Sequence, residues 1–175
     1  HLAGNAHIRA PLTHGDVHVT ADLRLIDGQI ESVPLLDRLA SFTGYKRFRQ
    51  VPLTRGSVAV TRAAGTTTLK NLIVESAGLL RVEGSCQIIR DQIHGELQLG
   101  LAPEILHAIP GAEAHVFTVT RGGYAWAALR LTGPMAHPHE DLSARLAAAA
   151  AGELLKNPKK TLRDLSKTLR DLLHH

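Results

Sequence analysis

The sequence predicts a mainly β fold: a curled antiparallel meander sheet, its apolar face either an ordinary helix-covered core or an open trough, with a short capping helix and amphipathic helices at its C-terminal end. Three observations carry this. Runs of period-two alternation follow one another from Gly15 to Gly133. The connections between most of them are only two or three residues long, which forces antiparallel neighbours. The composition, 44% hydrophobic and 21% charged but only 3% aromatic, asks for an interior filled by Leu, Val, Ile and Ala. A chain of 175 residues holds one domain with a real core plus a tail. The expected division is a β-groove domain over 1–136, with its short helix at 34–43, and a helical tail over 137–175.

In the first strand, GDVHVTADLRLIDG sets Val17, Val19, Ala21, Leu23 and Leu25 on one face and His18, Thr20, Asp22 and Arg24 on the other. Asp27-Gly28 supplies a turn that takes positive φ, and Gln29-Ile30-Glu31 starts back. Pro34 then opens a helix with Leu35, Leu36, Leu39, Ala40 and Phe42 near one side and Asp37, Arg38 and Ser41 on the other, until Gly44 stops it. Such a stripe needs an apolar surface to lie on, so the helix is expected to cap the sheet with Leu35, Leu36 and Leu39 facing in. Strands resume at FRQVPL (48–53), GSVAVTR (56–62), TTTLKNLIVES (66–76), GLLRVEGSCQII (78–89) and QIHGELQLGL (92–101). Residues 103–110, bounded by two prolines, read as a second short helical or turn-like insertion. AHVFTVT and YAWAALRLTG, around a Gly122-Gly123 turn, complete a sheet of about eight or nine strands.

The C-terminal end is different in kind. HEDLSARLAAAAAGELL (139–155) is a helix by propensity, with Pro138 ahead of it. After Asn157-Pro158, KTLRDL at 160–165 recurs at 167–172 and places Leu162, Leu165, Leu169 and Leu172 on one seam. Lys159, Lys160, Arg163, Lys167 and Arg170 flank it, a pattern suited to a membrane surface or a partner. Asp164 and Asp171 dilute that charge, and packing of the seam back on the domain is the other reading.

Little in the sequence points to catalysis, cofactors or nucleic acid. The net charge is +4, but 16 acidic residues are interleaved with 20 basic ones, without a run that would track a phosphate backbone. One cysteine, Cys86, excludes an internal disulfide and a Cys-based metal cluster. There is no Gly-rich phosphate loop, nucleophile elbow or HExxH. HPHED (137–141) holds the densest set of metal-ligating types, yet Pro138 keeps His137 and His139 apart, and Glu140 and Asp141 suit the start of a helix. The chain is therefore expected to be non-catalytic, without a metal or cofactor. No stretch reaches the about 18 apolar residues of a membrane span. A start at His1 is what a fragment of a longer protein would have.

LRLIDGQIESVPLLDRLASFTG (23–44), followed by VPLTRGSVAVTRAAGTTTLKNLIVESAGLLRVEGSCQIIRDQIHGELQLGL (51–101), resembles the C-terminal region of the AsmA-like family, TamB-related β-groove proteins of the Gram-negative envelope. The likeness is one of spacing and residue class over roughly residues 15–101. It implies a periplasmic location, an inner-membrane anchor in an upstream segment, and a repeating β-groove whose apolar lumen passes phospholipid between the two membranes. The family supplies no catalytic residues. The lumen-facing positions by alternation are Val17, Val19, Leu23, Leu25, Val58, Val60, Leu97 and Leu99, the expected contacts for acyl chains. The rival reading is a structural or assembly module that holds a partner through its sheet edge or C-terminal helix.

Overall fold

The computed structural model describes residues 19–25, 28–31 and 33–156. In chain order the strands are β1 (Val19–Leu25), β2 (Gly28–Glu31), β3 (Gln50–Leu53), β4 (Arg55–Ala63), β5 (Thr66–Ser76), β6 (Leu80–Ile89), β7 (Gln92–Leu101), β8 (Val119–Arg121), β9 (Tyr124–Pro134) and β10 (His139–Glu140). The helices are α1 (Pro34–Thr43), α2 (Pro103–Leu106), α3 (Ala112–His115) and α4 (Leu142–Lys156). Eight strands form one open antiparallel sheet in the order β1-β4-β5-β6-β7-β9-β10, with β8 also on β9, while β2 and β3 make a separate ribbon. The chain is a meander with one excursion, because β1 pairs with β4 and residues 28–53 leave the sheet to carry α1.

Pairing turns the alternation into two chemically different faces. On one face Leu23 stands opposite Val58, Val60 opposite Leu69, and Leu69 opposite Cys86. The same face continues through Val74, Val82, Leu99 and Ala127, and through Leu80, Leu101 and Ala125. The other face carries Glu75 beside Arg81, Glu83 beside Gln98, and Glu96 beside Arg130. Asn71 is one residue extra against both neighbouring strands, a bulge taken at φ 53, and it puts Leu69 and Leu72 on the same side. Level with it on β6 lies Gly84, whose φ is 146 and whose absent Cβ leaves room for the backbone of Glu96 and Leu97.

The capping helix takes the span and the orientation that its apolar stripe requires. Pro34 opens α1, Gly44 at φ 72 donates its N–H to the Ala40 carbonyl, and Leu35, Leu36 and Leu39 are 9%, 7% and 0% exposed. They join Ile105, Leu106, Ile109, Leu142 and Leu146 in one buried cluster with Leu99, Leu101, Ala125 and Ala127. Burial of each such side chain contributes about 1.5–3 kcal/mol. Since α4 supplies Leu142, Leu146 and Ala149 to this cluster, residues 142–149 share the core of the sheet.

Three elements differ from the expected outline. Residues 46–49 form a 3-10 turn ahead of β3, because Phe48 is drawn fully into the core. The segment after Pro110 starts with α3, where Gly111 at φ 72 leads into the buried Ala112, and only 119–121 are strand. The helix expected from 139 begins at Leu142, since His139 and Glu140 pair with Thr132 and Leu131 of β9.

Other elements occupy the outer margin of β9. β8 pairs with its residues 124–126 and β10 with 131–132. In the gap between them, Asp141 Oδ1 accepts the Arg130 N–H at 2.8 Å, and Arg145 donates to the Ala128 carbonyl at 2.7 Å. Asp141 and Arg145 are themselves 3.7 Å apart, one helical turn from each other.

Candidate functional site

The apolar face of the sheet is longer than its cover. Its half near Leu80, Leu101 and Ala125 lies under the helices in the buried cluster. Beyond that half, Leu23, Val58, Val60, Leu69, Ile88 and Ile93 lie on the same face but outside the cluster, and all six are only half-buried. The cover is tied to the β9 side of the sheet. Arg38 of α1 pairs with Glu140 of β10 at 2.8 Å, Glu140 being 8% exposed, and the second Glu140 oxygen accepts the Ser143 N–H at the start of α4. The result is a half-open apolar strip that runs without interruption into a closed core. An apolar ligand could lie along it with one side in protein and its end against the packed leucines.

The opposite face has different chemistry. A cavity of about 1340 Å³ lies on it, bordered by Lys70, Glu83, Glu96, Gln98, Arg121 and Arg130. Glu83 accepts from Arg81 at 2.7 Å and from Arg121 at 2.8 Å, and Arg121 lies 4.2 Å over the ring of Trp126. The indole N–H donates to the Arg121 carbonyl at 2.9 Å, and Tyr124 donates to Glu75 at 3.2 Å. Gly100 makes room for this packing, since a Cβ there would stand 3.0 Å from both Trp126 and Tyr124. Burial, and then the Glu75 carboxylate, push the Tyr124 phenol above its ordinary pKa. Glu83, Arg81 and Arg121 are spent on one another, and this charged face suits water better than hydrocarbon.

No family model, curated protein or solved structure matches the chain.

The expected lumen residues divide between the strip, the core and undescribed positions. Leu23, Val58 and Val60 are in the half-open strip. Leu97 and Leu99, expected to line an open trough, are 7% and 1% exposed in the closed core, because the helices cover their part of the face. Val19 and Leu25 hold positions on β1 opposite Arg62 and Gly56. Val17 lies outside the described residues, as do Lys159, Lys160, Arg163, Lys167 and Arg170. Leu69, Ile88 and Ile93 were not among the expected contacts. Ile88 and Ile93 sit beside a turn where either parity could face in, and the Asn71 bulge changes parity within β5.

Among the described residues no group of three His, Cys, Asp or Glu side chains is arranged to hold a metal. Glu140 serves the helix start, as its position in HPHED suggested, by accepting the Ser143 N–H at 2.8 Å. Cys86, 6% exposed, faces the apolar side between Leu69 and Gly95, and burial pushes its thiol pKa up.

Proposed function

We propose that this chain handles lipid, binding phospholipid acyl chains along the strip formed by Leu23, Val58, Val60, Leu69, Ile88 and Ile93. In this reading the domain is the helix-capped end of an apolar β-groove, and it acts by enclosure without catalysis. The observation that supports it most is the partial cover: a continuous aliphatic face, packed shut at one end and left half-buried at the other. Covering such a surface with an acyl chain gains about 25 cal/mol per Å². The resemblance to the AsmA-like family adds the envelope setting: a periplasmic domain of an inner-membrane-anchored protein, working between the two membranes. Native mass spectrometry of protein purified from bacterial cells tests the reading. A co-purifying phospholipid is expected, and Val60→Asp and Leu69→Asp variants that keep the wild-type circular dichroism should lose it. Wild-type protein that carries no phospholipid would overturn the proposal.

A second reading, a module that holds a partner strand, is favoured by the contrast between the two margins of the sheet. The β9 margin is occupied by β8, β10 and the start of α4, whereas among the described residues no strand pairs with the outer side of the seven-residue β1. Capture of a protein by lipid-free chain, abolished by proline at Ala21, would support this reading over the first.

A further inference from the structure

The strip opens at one end of the sheet, and that end has a surface character of its own. Ala63, Thr66, Ile89, Gln92 and Pro134 stand in one row across β4, β5, β6, β7 and β9, so the turns beyond them form a single rim, at the opposite end of the strands from α2. Two large apolar side chains are exposed there, Ile89 at 39% and Met135 at 49%. The Met135 N–H donates to the Asp91 carbonyl at 2.8 Å, which ties the two turns that carry them. Arg62 and Arg90 are exposed on the same rim, and Asp91 is the one acidic residue in its turns, 62–66, 89–92 and 134–138. Val60, Leu69, Ile88 and Ile93 lie within the last few residues of their strands, so the strip meets solvent at this rim.

We infer that the rim docks on an anionic lipid surface, with Ile89 and Met135 entering the interfacial layer and Arg62 and Arg90 at the level of the phosphates. A stable protein interface buries about 800 Å² per partner with matched shape, which two side chains on separate turn tips do not supply. A bilayer interface needs no such match: each apolar tip that enters it gains its own transfer energy, and each nearby cation adds attraction to anionic head groups. The geometry fits the task, because a chain leaving the bilayer at this rim would enter directly onto the strip. This inference takes its partner class from the lipid reading above, yet it can fail separately.

The test is co-sedimentation of the full chain with vesicles of phosphatidylglycerol and phosphatidylcholine, against vesicles of phosphatidylcholine alone. Binding to the anionic vesicles is expected, weakened by salt and about tenfold poorer on the neutral ones. Ile89→Ser with Met135→Ser, and separately Arg62→Gln with Arg90→Asn, should each weaken it about tenfold. All four positions are exposed, and Asn tolerates the positive φ of 47 at Arg90. Wild-type protein that ignores anionic vesicles would sink the inference. So would binding that both double variants retain, since the contact would then run through another surface, such as the cations between Lys159 and Arg170. Rim variants that still carry phospholipid from the cell separate the two ideas on one side. Rim-dependent vesicle binding by a protein that carries none separates them on the other.

Discussion

A single methyl group at position 84 has no place to go. It would stand 2.3 Å from the Glu96 carbonyl oxygen and 2.8 Å from the Leu97 Cα, on a residue whose φ is 146. Gly84→Ala should therefore lower stability by about 3 kcal/mol or more, read from urea denaturation. Asn71→Gly, at the bulge level with it, should change stability by no more than about 0.5 kcal/mol, since both residues accept φ 53. Tyr124 gives the pH dependence its sign. Its phenol is raised in the folded protein, so the native state keeps a proton that the unfolded chain gives up first. Stability is then unaffected below the unfolded value of about 10 and falls as pH rises above it. Tyr124→Phe should flatten that alkaline fall relative to wild type, measured by denaturation midpoints between about pH 9 and about pH 11.

At the scale of elements, the closure of β9 rests on two side chains from the start of α4. Asp141→Ala leaves the Arg130 N–H without its acceptor, and should cost about 1–2 kcal/mol and speed hydrogen exchange at the Arg130 amide. Unchanged exchange there would show that the carboxylate does not hold the margin. Most elements were legible because their signals are local: alternation through QIHGELQLGL, Pro34 and Gly44 at the ends of α1, and the stripe that buries Leu39. What the sequence did not show depends on distant partners. Phe48 reads as the start of a strand until the core that takes it in is known, and β10 exists only because Leu131 and Thr132 are there to pair with it. For the same reason Leu97 and Leu99 could be placed on the apolar face by parity, but whether that part of the face is covered is decided by α1 and α4.

For the whole molecule, the consequential fact is the mismatch between a long apolar face and a short cover. A ligand that completes the cover must stabilise the fold by mass action, by about 2.7 kcal/mol at a hundredfold excess over its dissociation constant. Protein stripped of lipid should accordingly melt at a lower temperature than protein resupplied with phosphatidylglycerol, and Val60→Asp should erase the difference. A melting temperature indifferent to added phospholipid in the wild type would count against acyl chains on the strip. The closed margin of β9 has a consequence for how far such a sheet can extend. A further strand cannot be added there unless the N-terminal turn of α4 is first dislodged, and dislodging it pulls Leu142 and Leu146 out of the core. The molecule thus carries a built-in end stop at its β9 margin, so a stack of such sheets would have a defined last member on that side.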